Sequence, residues 1–409
     1  MPDRMDERFP WLDKPPLSTL LAALNHDGEE ARVVGGAVRN ALLGEPVADW
    51  DIATTALPVE TQARARAQGW KVVPTGIEHG TVTVVIDGHP LEVTTLREDI
   101  ETDGRRAVVH FGRDFRADAF RRDFTINALS LSPDGRLHDY ASGLADIAER
   151  RVRFLGDADR RIAEDYLRIL RLFRFHARFG KGQLDKASFE AAIRGRGGLR
   201  RLSAERIRAE LLKLLTAPRA AEVLAEIDAA GFLGILLGGI ARVEAFQRLT
   251  DLETRSGAEP DAVRRLAALG LFTRHDAERL AVRLRLSNAE AKRLTTIALV
   301  LERVRHAPPL PKAREWLYRL GSELYRDAML VTAAHHAEAD FAEALALPEH
   351  WSVPAPPFSG RDLAQLGIKP GPRIGRILAR AEQAWIDGGF SRDSSQRQAI
   401  LEEAVRTTA

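Results

Sequence analysis

Cysteine is absent from the 409 residues, which rules out disulfides, thiolate zinc sites and cysteine nucleophiles. No run of about 18 apolar residues occurs. The opening MPDRMDERFPWLDKPP lacks the apolar centre of a secretory signal, so a cytoplasmic protein with no membrane partner is expected. The phosphate-loop pattern GxxxxGK[ST] is missing as well. Lysine is scarce, eight of the 60 basic residues, so arginine abundance alone says little. Net charge is only +2, and any nucleic-acid surface must therefore lie in local basic stripes.

What is present divides the chain in two. The first third alternates short runs rich in Val, Ile and Thr (ARVVGG, DWDIAT, GTVTVVIDG, HPLEVTTL, FTINALSL) with helices that end in glycine, AVRNALLG and PVETQARARAQG. From about Ala158 almost every segment reads as helix, starting with DRRIAEDYLRILRLFRFHARFG. Proline-rich breaks fall at 307–312 and 348–360. At this length more than one core is expected, and no repeat of fixed period is evident. The pattern predicts an α+β protein: a mixed-sheet head followed by an all-helical remainder.

Two acids stand one residue apart in DWD. Side chains at i and i+2 of a strand share a face, so Asp49 and Asp51 are expected to project together with Trp50 buried behind them. Paired carboxylates suit a hard cation such as Mg²⁺, which takes a few carboxylates plus substrate phosphates. Upstream, Gly35 and Gly36 lie between a strand and a helix, where bare amides and a helix N-terminus can cradle phosphate. Arg39, one turn into that helix, could reach the same phosphates.

GGAVRNALLG (35–44) with DWDIATT (49–55) resembles the first motif of the class II tRNA nucleotidyltransferases and bacterial poly(A) polymerases, members of the polymerase-β-like superfamily. The family usually has Asp where this chain has Asn40. RRDFTINAL (121–129) is similar to its second motif. HDYASGLADI (138–147) resembles the third, with Ser142 where glycine is common. AEDYLRILRLFRF (163–175) and LSAERIRAEL (202–211) resemble the fourth and fifth. Five motifs in order, across about 30–220, are not a chance match. The resemblance implies a polymerase-β-like head at 1–150, a base-reading neck at 151–220, a helical body at 221–330 and a tRNA-binding tail at 331–409. It also implies a third carboxylate on a neighbouring strand, for which Glu92 is best positioned, with Asp87 and Asp99 as weaker competitors. The catalytic set is then Asp49, Asp51 and Glu92, with the first two as metal ligands.

In RRDFTIN, Arg122 suits triphosphate oxygens, and Asp123 could accept from a ribose hydroxyl. Asn127, read as two pleats further along a strand, shares its face. Asp165 and Arg168, three apart on a predicted helix, are expected to act together. Arg171, Arg174 and Arg178 continue that face. Cytosine and adenine each present an amino donor beside a ring-nitrogen acceptor, whereas guanine and uracil present the reverse. A carboxylate beside a guanidinium therefore accepts C and A and rejects G and U. The resemblance implies the same choice: untemplated addition of C, C and A to the tRNA 3′ end from CTP and ATP, with pyrophosphate released. A poly(A) polymerase, or an enzyme adding only CC or only A, shares these motifs.

The helical half carries no comparable signature. His335 and His336 read as a helix surface. GRDLAQLGIKPGPRIGRIL (360–378) resembles a helix–hairpin–helix, with Lys369 and Arg373 beside its turn. The loop REDIETDGRRAVVHFG (97–112) has turn residues and no apolar period. In the family a flexible loop at this place is implicated in the switch from C to A, so full CCA addition is expected.

Overall fold

Val-rich ARVV forms the centre of the head because all four of its side chains are buried, as expected for a strand covered on both faces. The computed structural model describes residues 7–77, 80–99 and 109–408. The core of the 97–112 loop, residues 100–108, and the side chain of Asp99 lie outside the described residues. The strands are β1 (Ala31–Val34), β2 (Asp51–Thr54), β3 (Lys71–Gly76), β4 (Thr81–Ile86), β5 (His89–Thr95), β6 (Arg97–Asp99), β7 (Val109–Phe111), β8 (Leu129–Leu131) and β9 (Leu137–Asp139). Seven of them form one sheet in the order β3-β4-β5-β2-β1-β8-β9, and β6 pairs with β7 apart from it.

The sheet is mixed. β1 runs antiparallel to β2 and β8, whereas β2 and β5 are parallel. A parallel pair needs a crossover, here supplied by α3 (Pro58–Ala67) and the β3-β4 hairpin. Besides the short β6, β7 and β9, the sequence reading missed β3, at one edge of the sheet. That strand contains Pro74 and a register shift between Val73 and Gly76, both at home on a sheet edge.

The other α-helices of this part are α1 (Leu17–Leu24), α2 (Gly36–Leu43), α4 (Phe115–Phe120), α5 (Gly143–Ala148), α6 (Ala158–Glu164), α7 (Leu167–Phe179), α8 (Lys186–Gly195), α9 (Ala204–Leu215) and α10 (Ala220–Ala229). Two expectations need correction. DRRIAEDYLRILRLFRFHARFG is not one helix: it breaks at Asp165, whose backbone is extended (φ −158°, ψ 110°). FTINALSL is not one strand, because Thr125–Asn127 coils into a 3-10 turn before β8 begins.

The chain divides into two compact units, Met1–Phe232 and Leu233–Ala409. Among its described residues the second has helices and loops and no strand. Within it, Glu253 accepts from Arg264 (2.7 Å) and Arg265 (2.8 Å), while Asp327 accepts from Arg264 (3.1 Å) and Arg293 (2.7 Å). Glu253, Arg264, Arg265 and Asp327 are all buried. His335 is no surface residue: it is buried, with Nε2 3.0 Å from the Ala268 carbonyl. Burial holds its pKa down to about 4, with Arg242 adding to the effect. Arg373 donates to the carbonyls of Thr408 and Val405 at 3.0 and 3.2 Å, and thus caps the end of the last helix, Ser394–Thr407. No described helix is long and apolar enough to cross a membrane.

Candidate active site

Three aligned backbones build the acidic part of the site. Val34 of β1 stands opposite Asp51 of β2, and Asp51 stands opposite Glu92 of β5. The turn at Gly35 and Gly36 thus begins one residue beyond the partner of Asp51, and Glu92 sits beside it on the adjoining parallel strand. Asp49 lies in the irregular stretch before β2, and Asp49, Asp51 and Glu92 are all exposed. Trp50 is half-buried rather than fully buried, because the strand starts only at Asp51.

Although the Asp51 side chain opens to solvent, crowding by the surrounding protein pushes its pKa up. Arg122 opposes the shift and Asp49 adds to it. A carboxylate whose ionisation is made costly by its surroundings and by an acidic neighbour fits a hard divalent cation, whose charge would relieve it. Among the described residues, no group of three or more His, Asp or Glu side chains is already gathered as a metal nest.

Gly35 has φ +68°, and a Cβ there would lie 2.8 Å from Arg122 Nη1. Glycine is needed both for the turn and for the passage of this guanidinium. Arg122 Nη2 donates to Asp118 (3.0 Å), which also accepts from Arg121 Nε (2.6 Å). Burial alone would raise the Asp118 pKa, but the two guanidiniums hold it below the usual carboxylate range. Asp118 was missed at the sequence level; its signal is the acid–arginine spacing of three and four.

Arg39 is buried and does not stand free over the glycine turn. It donates to Asn127 Oδ1 at 2.5 Å and to Asn40 Oδ1 at 2.8 Å, and its guanidinium lies 4.3 Å from the Phe179 ring centroid. Burial pulls its pKa down to about 10, helped by Arg178, Arg174 and Arg171 and opposed by Asp123. Asn127, also buried, donates to Asp123 Oδ1 (3.0 Å). The two side chains meet through the 3-10 turn, not through strand pleating. Asp123 Oδ2 in turn accepts from Arg171 Nε (2.7 Å) and Nη2 (2.6 Å). One chain of contacts therefore runs from α2 through the turn to the helix α7.

The turn itself is clasped. Thr125 Oγ1 donates to buried Asp146 (2.6 Å), which also accepts from Arg151 (2.9 Å) and Arg153 (2.7 Å). Asp139 accepts the backbone N–H groups of Ala141, Gly143 and Leu144 at 2.9–3.0 Å, which sets the approach of α5. The third motif is thus a clamp on the second.

Asp165 and Arg168 are adjacent in space, but each has another partner. Asp165 Oδ2 accepts from Arg206 (2.6 Å) and its Oδ1 from the Leu167 N–H (3.0 Å). Arg168 pairs with Glu164 and donates to the Arg161 carbonyl (2.9 Å). Arg174 contacts Glu210 at 2.6 Å, and Arg171 is 3.9 Å from it. Arg206 and Glu210 both belong to α9, so the fifth motif holds the fourth. Those two roles were not assigned from sequence, because the partners lie some 40 residues apart in the chain.

Comparisons with known proteins bear on the family and the fold. Residues 31–153 match the family described as "Poly A polymerase head domain", and residues 183–243 match "Probable RNA and SrmB- binding site of polymerase A". The chain is 36% identical over 395 residues to the mouse (Mus musculus) "CCA tRNA nucleotidyltransferase 1, mitochondrial", covering 93% of this chain and 87% of that one. It is 32% identical over 410 residues to a "CCA-adding enzyme" of Streptococcus pyogenes, covering 95% and 96%. Among solved structures, the Bacillus stearothermophilus CCA-adding enzyme in complex with CTP superposes with a TM-score of 0.72 at 28% identity, over 96% of this chain and 98% of that one.

Proposed function

Because this chain belongs to the family of CCA-adding tRNA nucleotidyltransferases and bacterial poly(A) polymerases, we propose that it completes the 3′ end of tRNA by adding C, C and A from CTP and ATP. The mechanistic reading is carried by one observation, the alignment of the glycine turn, Asp51 and Glu92 across β1, β2 and β5. In the reaction, the tRNA 3′ hydroxyl oxygen bonds to the α-phosphorus of the incoming nucleotide. The bond from that phosphorus to the β-phosphate oxygen breaks, and pyrophosphate leaves. Nucleotidyltransferases of this family use divalent metal ions. Mg²⁺ held by Asp49 and Asp51 would neutralise the phosphate charge and lower the pKa of the attacking hydroxyl. Glu92 is the third carboxylate, assigned to receive the proton that the hydroxyl loses.

The Gly36 amide and Arg122 are assigned to the triphosphate; the Gly35 N–H is already given to the Leu129 carbonyl at 3.2 Å, so Gly35 contributes the shape of the turn rather than a donor. Buried Arg39 acts on the same region as a fixed positive charge and as the anchor of Asn127. Asp123, held by Asn127 and Arg171, is assigned to the ribose. Asp165 and Arg168 read the base edge after exchanging their present partners, Arg206 and Glu164. The wider division into head, neck, body and tRNA-binding tail at the boundaries given above is part of the same proposal. So is a cytoplasmic location, although the mouse relative bears a mitochondrial name.

The test is to incubate the purified protein with tRNA lacking its 3′ end and to supply each labelled NTP separately and then together. Growth by C, C and then A, with arrest at that length, is the expected product. A long adenylate ladder would instead identify a poly(A) polymerase, and arrest at CC or failure to use CTP would identify a partial enzyme.

A further inference from the structure

The tryptophan between the two acids is braced by a second one from the start of the chain. Trp11 packs on Trp50 with ring centroids 6.2 Å apart and planes inclined at 44°. Trp11 also meets Phe9 edge-on, at 5.7 Å and 81°. Phe9 and Leu12 are buried, and the Leu12 N–H donates to the Phe9 carbonyl at 3.0 Å. A closed, anchored turn therefore presents Trp11 to the acid loop.

That loop needs support. Residues 45–50 have no regular secondary structure, so Asp49 has none of the strand pairing that fixes Asp51. The Trp50 indole N–H is buried without a hydrogen-bond partner. Its ring is therefore located by packing alone, and Trp11 supplies an aromatic contact to it. Aromatic rings are rigid and have few rotamers, so such a contact transmits position well.

We propose that Trp11 is a positioning residue that fixes the separation of the Asp49 and Asp51 carboxylates, and through them the affinity for a divalent cation. The inference rests on the metal-binding reading above. Hydrogen-bonded partners of metal ligands typically change affinity by about 10- to 100-fold when lost, and Trp11, which packs on the residue between the two acids, is expected at the low end of that range.

The experiment measures Mn²⁺ binding to the full chain by electron paramagnetic resonance, with CTP present and tRNA absent so that nothing turns over. Trp11→Ala should weaken Mn²⁺ binding by about tenfold, and Trp11→Phe, which keeps a ring, should restore most of it. In turnover assays Trp11→Ala should raise the Mn²⁺ concentration needed for half-maximal rate and leave the KM for tRNA unchanged. Asp51→Ala is measured beside it. Loss of Mn²⁺ binding in Asp51→Ala together with wild-type binding in Trp11→Ala would overturn the brace. Unchanged binding in Asp51→Ala would remove the metal reading and the proposal with it. Should Trp11→Ala fail to fold, Trp11→Leu keeps apolar bulk without a ring; wild-type Mn²⁺ affinity in both the Leu and Phe variants would equally overturn the proposal.

Discussion

Gly143→Ala is a one-atom perturbation whose consequence can be followed from a backbone clash to the rate. A Cβ at Gly143 would lie 2.4 Å from the Thr125 carbonyl oxygen, 3.2 Å from its carbonyl carbon and 3.3 Å from Leu129 Cδ2. Ordinary contacts of this kind begin near 3.4 Å, so a relative shift of about 1 Å is required. The yielding group is backbone, and that carbonyl also closes the 3-10 turn by accepting the Ala128 N–H at 3.0 Å. Overpacking of this sort costs about 1–3 kcal/mol. In a domain of some 230 residues that lowers Tm by roughly 2–10 °C.

The effect on rate should exceed the effect on stability. Asn127 rides on the same turn and orients both Arg39 and Asp123. A misplacement of about 1 Å in such a group costs about 100-fold in rate. The assay follows labelled CTP incorporation into tRNA lacking its 3′ end, with thermal denaturation in parallel and Gly234→Ala, whose Cβ meets nothing within 4 Å, as the control. A fall in kcat of about two orders of magnitude with a near-normal KM for tRNA is expected. Retention of more than half the wild-type kcat with an unchanged Tm would refute the clamp.

Asp165→Ala should erode discrimination between CTP and UTP by about 10- to 150-fold, the worth of one charged hydrogen bond; competitive incorporation of the two nucleotides reads this directly, and equal slowing of both would count against base reading by Asp165. Ser142 adopts a left-handed φ of +59° and makes no capping hydrogen bond, so Ser142→Gly should stabilise the head by up to about 1 kcal/mol, seen as a raised Tm. His335 is kept neutral in the fold, with a pKa of about 4 against about 6.5 when unfolded. The unfolded chain therefore binds the proton first as pH falls, and stability should drop between about pH 6.5 and 4 by up to about 3 kcal/mol. His335→Gln should flatten that part of the profile, as monitored by denaturant titration at each pH; an identical slope in the variant would count against it.

The glycine turn and the strand that carries Asp51 were legible because each is local, a strand–glycine–helix passage and an apolar run; the strand face expected to be shared by Asp49 was not, because β2 begins only at Asp51. Glu92 was reached through family resemblance, and its place beside Asp51 depends on a parallel pairing across some 40 residues, which no local pattern specifies. The break at Asp165 was illegible for a related reason. EDYLRIL has good helical propensity, yet the Asp165 side chain bonds the Leu167 N–H two residues on, the local competition that lets aspartate end helices. His335 misled because polar residues are read as surface, whereas the helix Ser322–His335 is buried on nearly every side. Arg39 was assigned to phosphate on position alone. Its commitment to Asn127, 88 residues away, is purely tertiary.

The ion pairs around the fourth motif sort by exposure, and the sorting bears on how a protein can read a base. The Asp165 and Arg206 side chains are 34% and 47% exposed. A pair so open to water is worth only about 0–1 kcal/mol, so an incoming base edge can displace Arg206 at little cost. The Leu167 N–H meanwhile keeps the Asp165 carboxylate aimed. The Asp123–Arg171 pair is different: its carboxylate is only 11% exposed and it makes two contacts to one guanidinium. Removing one partner of such a pair strands a desolvated charge, which is far more costly. On the proposed reading, the open Asp165–Arg206 pair exchanges readily, the Arg168–Glu164 pair, 18% and 36% exposed, is drawn apart at greater cost, and Asp123–Arg171 holds the turn and α7 in register while they do. A base-selective site without a template needs both kinds, since a reader that is fixed but unpaired would bind any anion or cation, and one that is paired too well would bind no base.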